Sequence, residues 1–318
     1  MFTIGIDLGG TNIAVGLLDE KLNIKDKISA PTKAERAPEM IVADMASLSK
    51  KLIDRNHITL SDISLVGIAT PGTVDPERGM VLYSNNIRMK NFPIAEVFRK
   101  YMQGVPVKVA NDANAAALGE ALVGSGRGSD SLIMITLGTG VGSGIILDGK
   151  IFTGSVNTAG GEVGHTVIVR GGRQCTCGRR GCLEAYASAT ALTEMTREKM
   201  HELELKGIPS LLFDAEKREG RVSARTAFTT AKEGDKYGAE LVENYISCLA
   251  EGITNVINIF QPKIVTIGGG VSAEGDNLLL PLSEIVSRDQ YTRDGEFKTE
   301  IRCATLGNDA GIIGAGAL

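Results

Sequence analysis

The pattern of hydrophobic and polar positions predicts a chain in which short buried strands alternate with amphipathic helices. The segment "FTIGIDLGGTNIAVGLLD" (residues 2–19) predicts a strand, a glycine turn and a second strand. In residues 38–55, Ile41, Met45, Leu48 and Leu52 recur at helical spacing on one face, and Pro38 suits the first helical position. Such alternation is typical of an α/β fold.

The same criteria extend along the rest of the chain. Further strands are predicted in residues 63–70, 106–112, 131–138 and 261–270, the last stopping in three glycines. Further helices are predicted in residues 113–124, 223–235, 235–260 and 307–318. The last of these consists largely of small residues, so we expect it to pack closely against the first domain.

Two segments of the chain resemble each other. "DLGGTNIAVGLLDEK" (7–21) aligns without gaps with "TLGTGVGSGIILDGK" (136–150). The match is short, and chance similarity is the alternative. The preferred interpretation is two related halves, each opening with a strand–glycine turn–strand hairpin and each supplying one turn to a shared cleft.

Bulk properties narrow the possible functions. A chain of 318 residues suggests about two domains, and a net charge of −4 argues against a nucleic-acid-binding protein. No apolar run approaches the length needed to span a membrane, and the glycines that follow Met1 argue against a signal peptide. We therefore expect a cytoplasmic protein, in which reducing conditions disfavour a disulfide among the clustered cysteines.

The two glycine turns, "DLGGT" (7–11) and "LGTGVGSG" (137–144), are candidate phosphate-binding sites. They lack the Lys-Ser/Thr ending of a Walker A loop and the spacing of a dinucleotide fingerprint. Successive backbone N–H groups in such turns nevertheless form concavities for phosphate oxygens, and Thr11 and Thr139 each add a hydroxyl. Asp7 is a candidate Mg²⁺ ligand, through water. Ordinary hairpin turns are the alternative, but two turns in matched positions favour phosphate binding.

Asn111 and Asp112 follow a predicted buried strand. The simplest interpretation is a helix cap, because either side chain accepts the unpaired N–H groups of a first helical turn. The functional alternative is that Asp112 accepts a hydroxyl proton while Asn111 orients the same substrate, as phosphoryl transfer requires.

Glu162 and His165 stand three residues apart in the glycine-rich stretch "GGEVGH". A carboxylate and an imidazole together suit the binding of hydroxyl groups, although each alone would be read as a solvated loop residue.

A cluster of cysteines follows, in "CTCGRRGCLEA" (175–185). One imidazole and three thiolates form a closed tetrahedral ligand set for a structural zinc ion, supplied by His165, Cys175, Cys177 and Cys182. Free thiols or a redox pair are the alternatives. Cys248 and Cys303 lie in a predicted helix and strand, and we expect both to be buried apolar residues.

Several motifs in order carry a family resemblance: "DLGGT", "NDAN", "LGTGVGSG", "GGEVGH", "CTCGRRGCLEAYAS", "IGGGVS" and "GNDAGIIGAG". The whole chain resembles a ROK-family sugar kinase, most closely the bacterial ATP-dependent glucokinases. This implies an α/β, two-domain actin/Hsp70/hexokinase-like (ribonuclease H-like) ATPase fold with a central cleft. We expect a smaller domain of residues 1–117 with 306–318, and a larger one of residues 118–305 that holds the zinc-binding loop.

The resemblance also implies roles for individual residues. Asp112 would be the catalytic base for a sugar 6-hydroxyl, and His165 would bind both zinc and sugar. The implied sugar-binding residues are Asn111, Asp112, Glu162, His165, Glu184, Gly72 and Asn86. The implied residues for ATP and Mg²⁺ are Asp7, Gly9, Gly10, Thr11, Asn12, Gly138, Thr139, Gly140, Gly269 and Gly270.

The expected activity is phosphorylation of glucose, in a homodimer that binds sugar and ATP. The two glycines before Glu162 favour glucose over N-acetylmannosamine, whereas "YSNNIRMKNFPI" (83–94) departs from the family by lacking tryptophan. Kinases for fructose, mannose or N-acetylmannosamine remain alternatives, and polyphosphate is an alternative donor. A sugar-responsive repressor of the same family is disfavoured, because no basic DNA-binding segment precedes the first strand.

Overall fold

A computed structural model describes residues 1–156, 158–296 and 298–318. Its contacts divide the chain into two compact units. Unit 1 comprises residues 1–134, 144–161 and 305–318, and unit 2 comprises residues 135–143 and 162–304. The domain boundaries expected at 117/118 and 305/306 stay a prediction.

The strands include every predicted strand and several that the sequence analysis did not predict. They are β1 (Phe2–Leu8), β2 (Asn12–Leu18), β3 (Ile24–Pro31), β4 (Ile63–Thr70), β5 (Thr73–Asp75), β6 (Met80–Ser84), β7 (Met89–Phe92), β8 (Val107–Asn111), β9 (Leu132–Leu137), β10 (Val141–Leu147), β11 (Lys150–Ile151), β12 (Ile264–Gly268) and β13 (Glu300–Cys303).

The helices include every segment predicted to be helical and several that the sequence analysis did not predict. They are α1 (Pro38–Arg55), α2 (Ile94–Arg99), α3 (Asp112–Val123), α4 (Glu184–Ala187), α5 (Ala189–Leu205), α6 (Leu211–Glu219), α7 (Ala224–Lys232), α8 (Lys236–Phe260), α9 (Asp276–Asp289) and α10 (Ala310–Gly316). No helix within the described ranges combines the length and the apolar character needed to cross a membrane.

Two five-stranded sheets share one strand order. The first sheet runs β3-β2-β1-β4-β8, with β1 antiparallel to β2 and parallel to β4. The second runs β11-β10-β9-β12-β13, with β10 antiparallel to β11 and β12 parallel to β13. This repeated order is ribonuclease H-like, which confirms the predicted fold class and the prediction of two related halves.

The apolar stripe of α1 confirms the helix predicted from spacing. Pro38 occupies the start of the helix, where its missing N–H group costs no intrahelical bond. Ile41, Met45 and Leu52 are fully buried in the core of unit 1, against β1, β2 and β4 residues of the same hydrophobic cluster.

Helix α10 packs within unit 1 so closely that its contacts require glycine. A Cβ atom on Gly67 of β4 would lie 1.7 Å from the carbonyl oxygen of Ala315. A Cβ atom on Gly314 of α10 would lie 1.6 Å from the carbonyl oxygen of Ala115 in α3. Backbone therefore meets backbone on both sides of α10, as predicted for a helix of small residues packed on the first part of the chain.

The two cysteines outside the cluster lie in the predicted elements, α8 and β13. The prediction that both are buried is wrong, because Cys248 and Cys303 are each only half-buried. Burial still raises the pKa of both thiols, so neither has the lowered pKa of a reactive cysteine.

Candidate active site and metal centre

The first glycine turn joins β1 to β2 in unit 1. The N–H group of Gly9 donates to the carbonyl oxygen of Asn12 at 2.9 Å, which closes the turn. Thr32, fully buried, donates its hydroxyl to the carbonyl oxygen of Gly9 at 2.7 Å and its N–H group to that of Thr11 at 2.8 Å. Thr32 therefore fixes the shape of the turn, a role that no local motif had indicated.

Asp7 lies at the end of β1, one residue before the turn. Burial raises the pKa of its carboxyl group to about 6, and repulsion from the nearby Asp112 adds to the shift. Gly311 of α10 approaches so closely that a Cβ atom there would lie 2.7 Å from Asp7 Oδ2. Two carboxyl groups therefore face one region of unit 1, an arrangement that suits a divalent cation.

Asn111 and Asp112 mark the junction of β8 and α3. The cap interpretation is correct for Asn111, whose Oδ1 accepts the N–H groups of Ala113 at 2.9 Å and Asn114 at 3.2 Å. Asp112 is the first residue of the helix, and its Oδ1 accepts the N–H group of Ala113 at 2.9 Å. Burial raises the pKa of Asp112, which outweighs the opposing effect of that bond.

Two of the other predicted residues of unit 1, Gly72 and Asn86, lie beside these groups or beside the turn. The Asn111 amide donates to the carbonyl oxygen of Gly72 at 3.0 Å. Gly72 has a φ of +99°, and a Cβ atom on it would lie 2.2 Å from the carbonyl oxygen of Tyr83. Asn86 lies beside the first turn, since a Cβ atom on Gly10 would lie 3.6 Å from the Asn86 Cβ.

The second glycine turn joins β9 to β10 in unit 2. Leu137, Gly138 and Thr139 line a cavity of about 720 Å³ together with Gly270. Gly269 has a φ of +84°, and a Cβ atom on it would lie 2.5 Å from the carbonyl oxygen of Leu137. Four residues predicted to bind nucleotide, Gly138, Thr139, Gly269 and Gly270, are thus brought together in unit 2.

The same cavity is lined by three arginines that sequence reasoning missed, Arg197, Arg221 and Arg225. Within residues 1–156, 158–296 and 298–318, none of their guanidinium groups has an ion pair or a hydrogen bond. Unpaired guanidinium groups are suited to binding phosphate. The residues come from two separate helical regions, so no short motif could have indicated them.

Residues 162–165, the second part of "GGEVGH", pack against the second turn within unit 2. A Cβ atom on Gly164 would lie 2.2 Å from the carbonyl oxygen of Val141, and the N–H group of Val163 donates to Ser143 Oγ at 3.1 Å. Glu162 is exposed, and its carbonyl oxygen accepts the N–H group of His165 at 3.1 Å.

The four predicted zinc ligands converge. The nitrogen and sulfur atoms of His165, Cys175, Cys177 and Cys182 all lie within 4.8 Å of one another. His165 Nδ1 is 3.6 Å from Cys175 Sγ, and Cys177 Sγ is 3.7 Å from Cys182 Sγ. A tetrahedral zinc–thiolate site has sulfur–sulfur edges of about 3.8 Å, whereas a disulfide bond measures about 2.05 Å. The geometry therefore fits zinc and excludes a disulfide.

The thiols of the cluster differ in their ionisation. Burial, reinforced by Cys175 and Cys177, raises the pKa of the Cys182 thiol to about 12. The N–H group of Arg179 lowers the pKa of the exposed Cys177 thiol. A buried thiol of this kind becomes a thiolate when a cation compensates its charge, as zinc does.

Glu184, the first residue of α4, connects this cluster to the second turn. Its Oε1 accepts the Thr176 hydroxyl at 2.9 Å, and its Oε2 accepts the N–H group of Val141 at 3.1 Å. A Cβ atom on Gly140 would lie 2.3 Å from Glu184 Oε2, so glycine is required there. Glu184, which is predicted to bind sugar, thus accepts a hydrogen bond from the turn that is predicted to bind phosphate.

Comparison with known proteins identifies full-length similarity. The profile of the ROK family matches residues 3–318. A glucokinase of Halalkalibacterium halodurans is 38% identical, over 99% of this chain and 94% of the relative. A glucokinase of Thermotoga maritima is 36% identical, over 99% and 96%. The crystal structure of a ROK family glucokinase from Streptomyces griseus in complex with glucose and AMPPNP is 32% identical and superposes with a TM-score of 0.78, over 100% of this chain and 98% of that one.

Proposed function

Because the chain belongs to the ROK family, we propose that it transfers the γ-phosphoryl group of ATP to the 6-hydroxyl of a hexose, with glucose as the preferred substrate. Relatives named glucokinase that match nearly the full length support this substrate. Fructose, mannose and N-acetylmannosamine are the alternative acceptors, since N-acetylmannosamine kinases also match at 30% identity.

Asp112 carries the proposal. It stands at the start of α3, its orientation is held by the N–H group of Ala113, and burial raises its pKa. A general base is most effective when its pKa lies near the working pH, so the shift suits a carboxylate that takes a proton from an alcohol. We assign Asp112 as the base that aligns and deprotonates the sugar hydroxyl.

Phosphate binding is assigned to the two glycine turns. N–H groups of Gly9, Gly10 and Gly138, with the hydroxyls of Thr11 and Thr139, would stabilise negative charge on the transferring phosphoryl group. Asn12, Gly140, Gly269 and Gly270 would complete the nucleotide site, with the unpaired arginines of the 720 Å³ cavity at its edge. Asp7 would hold Mg²⁺, which when bound neutralises charge on the phosphates.

The residues assigned to bind sugar hydroxyl groups are Glu162, His165, Glu184, Asn111, Gly72 and Asn86. Positioning the sugar hydroxyl against the γ-phosphoryl group of ATP lowers the activation barrier of the transfer by several kcal/mol. The residues fit a structural zinc ion held by His165, Cys175, Cys177 and Cys182, and this ion would hold the segments of Glu162 and Glu184 in place. We further propose that the protein is cytoplasmic and forms a homodimer. The molecular mass in solution tests the homodimer.

The activity is tested with a panel of sugars in a coupled assay of ADP release. We expect glucose to be phosphorylated with the highest kcat/KM, and Asp112→Ala to lower kcat by about 10²–10⁴-fold while glucose still binds. The loss follows from removal of the proton acceptor. Asp54→Ala, an exposed position on α1, is the control and should leave kcat unchanged. Near-normal turnover in Asp112→Ala would refute the assignment.

The metal site is tested by elemental analysis of protein purified without chelators. We expect about one zinc per chain in the wild type and loss of that zinc in Cys182→Ser, because a closed site needs all four ligands. Cys248→Ser provides the matched control, since Cys248 lies in α8 outside the cluster and should retain zinc. Active wild-type protein that contains no zinc would contradict the site.

A further inference from the structure

Glu184 is held on both of its carboxylate oxygens by groups from two different segments. Thr176 donates its hydroxyl to Oε1 at 2.9 Å, and Val141 donates its backbone N–H group to Oε2 at 3.1 Å. Cys175 Sγ also lies 3.7 Å from Oε1, so the Thr176 hydroxyl makes the shorter of the two contacts to that oxygen. A carboxylate that accepts bonds on both oxygens cannot rotate without breaking one of them. Glycine at position 140 makes room for this orientation, because a Cβ atom there would lie 2.3 Å from Oε2.

Thr176 is positioned by the cysteine cluster on either side of it. Cys175 and Cys177 are its chain neighbours, and the N–H group of Cys175 donates to the carbonyl oxygen of Arg179 at 2.9 Å. The Thr176 side chain is exposed, and it is not one of the four side chains that form the candidate metal site. Its hydroxyl is therefore available for Glu184, and the loop determines where that hydroxyl lies.

We propose that Thr176 is a positioning residue, which orients Glu184 so that one carboxylate serves both the sugar and the second glycine turn. This inference rests on the proposed kinase function. A sugar hydroxyl that donates to Glu184 binds a carboxylate that the bonds from Thr176 and Val141 already hold in place. Sugar binding is thereby transmitted to the N–H group of Val141, which follows the residues assigned to phosphate.

Such a connection has a measurable thermodynamic consequence. If the sugar changes the affinity for nucleotide by some factor, the nucleotide changes the affinity for sugar by the same factor. The Thr176–Glu184–Val141 bridge is a short physical path for that coupling within unit 2. Loss of the Thr176 hydroxyl should therefore weaken sugar binding and reduce the coupling, without removing the base or the phosphate turns.

The test compares Thr176→Val, which has nearly the same shape, with Thr176→Ser, which keeps the hydroxyl. We expect Thr176→Val to raise the KM for glucose about tenfold, the effect of losing one hydrogen bond to a charged group, with kcat changed less than about twofold. Titration calorimetry of glucose, with and without the non-hydrolysable analogue AMPPNP, should show a smaller coupling factor in this variant. Thr176→Ser should restore both quantities, and both variants should keep their zinc.

Three results would overturn the proposal. The first is a Thr176→Val protein with the wild-type KM and coupling factor, and the second is a Thr176→Ser protein as impaired as the valine variant. The third is loss of zinc from Thr176→Val, since a structural role would then explain the effect. A different result would refute the proposed function, namely a wild-type protein that phosphorylates no sugar of the panel. If the wild type is active and Thr176→Val has an unchanged KM and coupling factor, only the positioning role is refuted.

Discussion

At the scale of single residues, the candidate site is built from carboxylates whose surroundings differ. Asp112 is the first residue of α3, and burial raises its pKa. Glu184 is fixed by donors on both oxygens. Asp7 is buried near a second negative charge, and its pKa is raised to about 6. The same side-chain chemistry thus suits a base, a hydroxyl ligand and a cation ligand, as each environment dictates.

Asp7 should make the stability of the ligand-free protein depend on pH. Its pKa is raised from 3.8 in the unfolded chain to about 6 in the folded one, so the protonated group favours folding. This contribution is fully present below pH 3.8 and is lost as the pH rises through about 6. We therefore expect Asp7→Asn to be more stable than the wild type at pH 8, by up to about 3 kcal/mol, and the difference to shrink towards pH 4.

Urea denaturation of both proteins between pH 4 and pH 8, without nucleotide or Mg²⁺, measures this difference, with the range chosen to span about two units on either side of pH 6. Asp54→Asn serves as the control, because Asp54 is exposed on α1 and its replacement should leave the profile parallel to the wild type. A difference between Asp7→Asn and the wild type that is independent of pH would contradict burial of an ionised Asp7.

At the scale of secondary-structure elements, close backbone packing decides which residues are allowed. Helix α10 carries three glycines in seven residues, and its neighbours β1, β4 and α3 present glycine to it at Gly5, Gly67 and Gly119. Glu120, fully buried in α3, accepts the N–H groups of Thr305 at 2.9 Å and Leu306 at 2.8 Å. The chain entering α10 is therefore anchored to the helix that begins with Asp112.

Gly314→Ala separates helix propensity from packing. Alanine in a helix interior is favoured over glycine by about 1 kcal/mol, so propensity alone predicts a more stable protein. The added Cβ atom would lie 1.6 Å from the carbonyl oxygen of Ala115 and must displace backbone. We expect Gly314→Ala to destabilise the protein by at least about 2 kcal/mol, measured by chemical denaturation.

Gly207→Ala is the companion variant for that measurement. Gly207 has a φ of +64° but nothing within 4 Å of an added Cβ atom, so its substitution reports backbone strain without a clash. We expect a cost of about 1 kcal/mol there. A stabilising Gly314→Ala would show that α10 can move away from α3 at little cost.

At the scale of the whole molecule, one topology is used twice. Each five-stranded sheet places three strands that are consecutive in the chain side by side and continues with two further strands, in the same spatial order. The gapless similarity of residues 7–21 and 136–150 falls on β1–β2 and β9–β10, so the repeat is real in structure as well as in sequence. Each unit accordingly contains one glycine turn.

The sequence by itself determined helix α1, the repeated hairpins and the four residue types that suit zinc, while the sugar and phosphate residues stay predictions from the family resemblance. Periodicity predicted α1 at its observed bounds, and the types of Cys175, Cys177, Cys182 and His165 are sufficient to suggest zinc. These signals are local, because periodicity acts over a few residues and ligand chemistry depends on residue type.

Only the tertiary structure decided which residues act together across long separations. Thr32 on the first turn, the arginines of the 720 Å³ cavity and the Thr176–Glu184–Val141 bridge all join segments that no motif connects. The half-burial of Cys248 and Cys303, and the raised pKa of Asp7, likewise depend on what the rest of the chain places nearby. Burial and hydrogen bonding are set by the path of the chain in space, so they become visible only when that path is known.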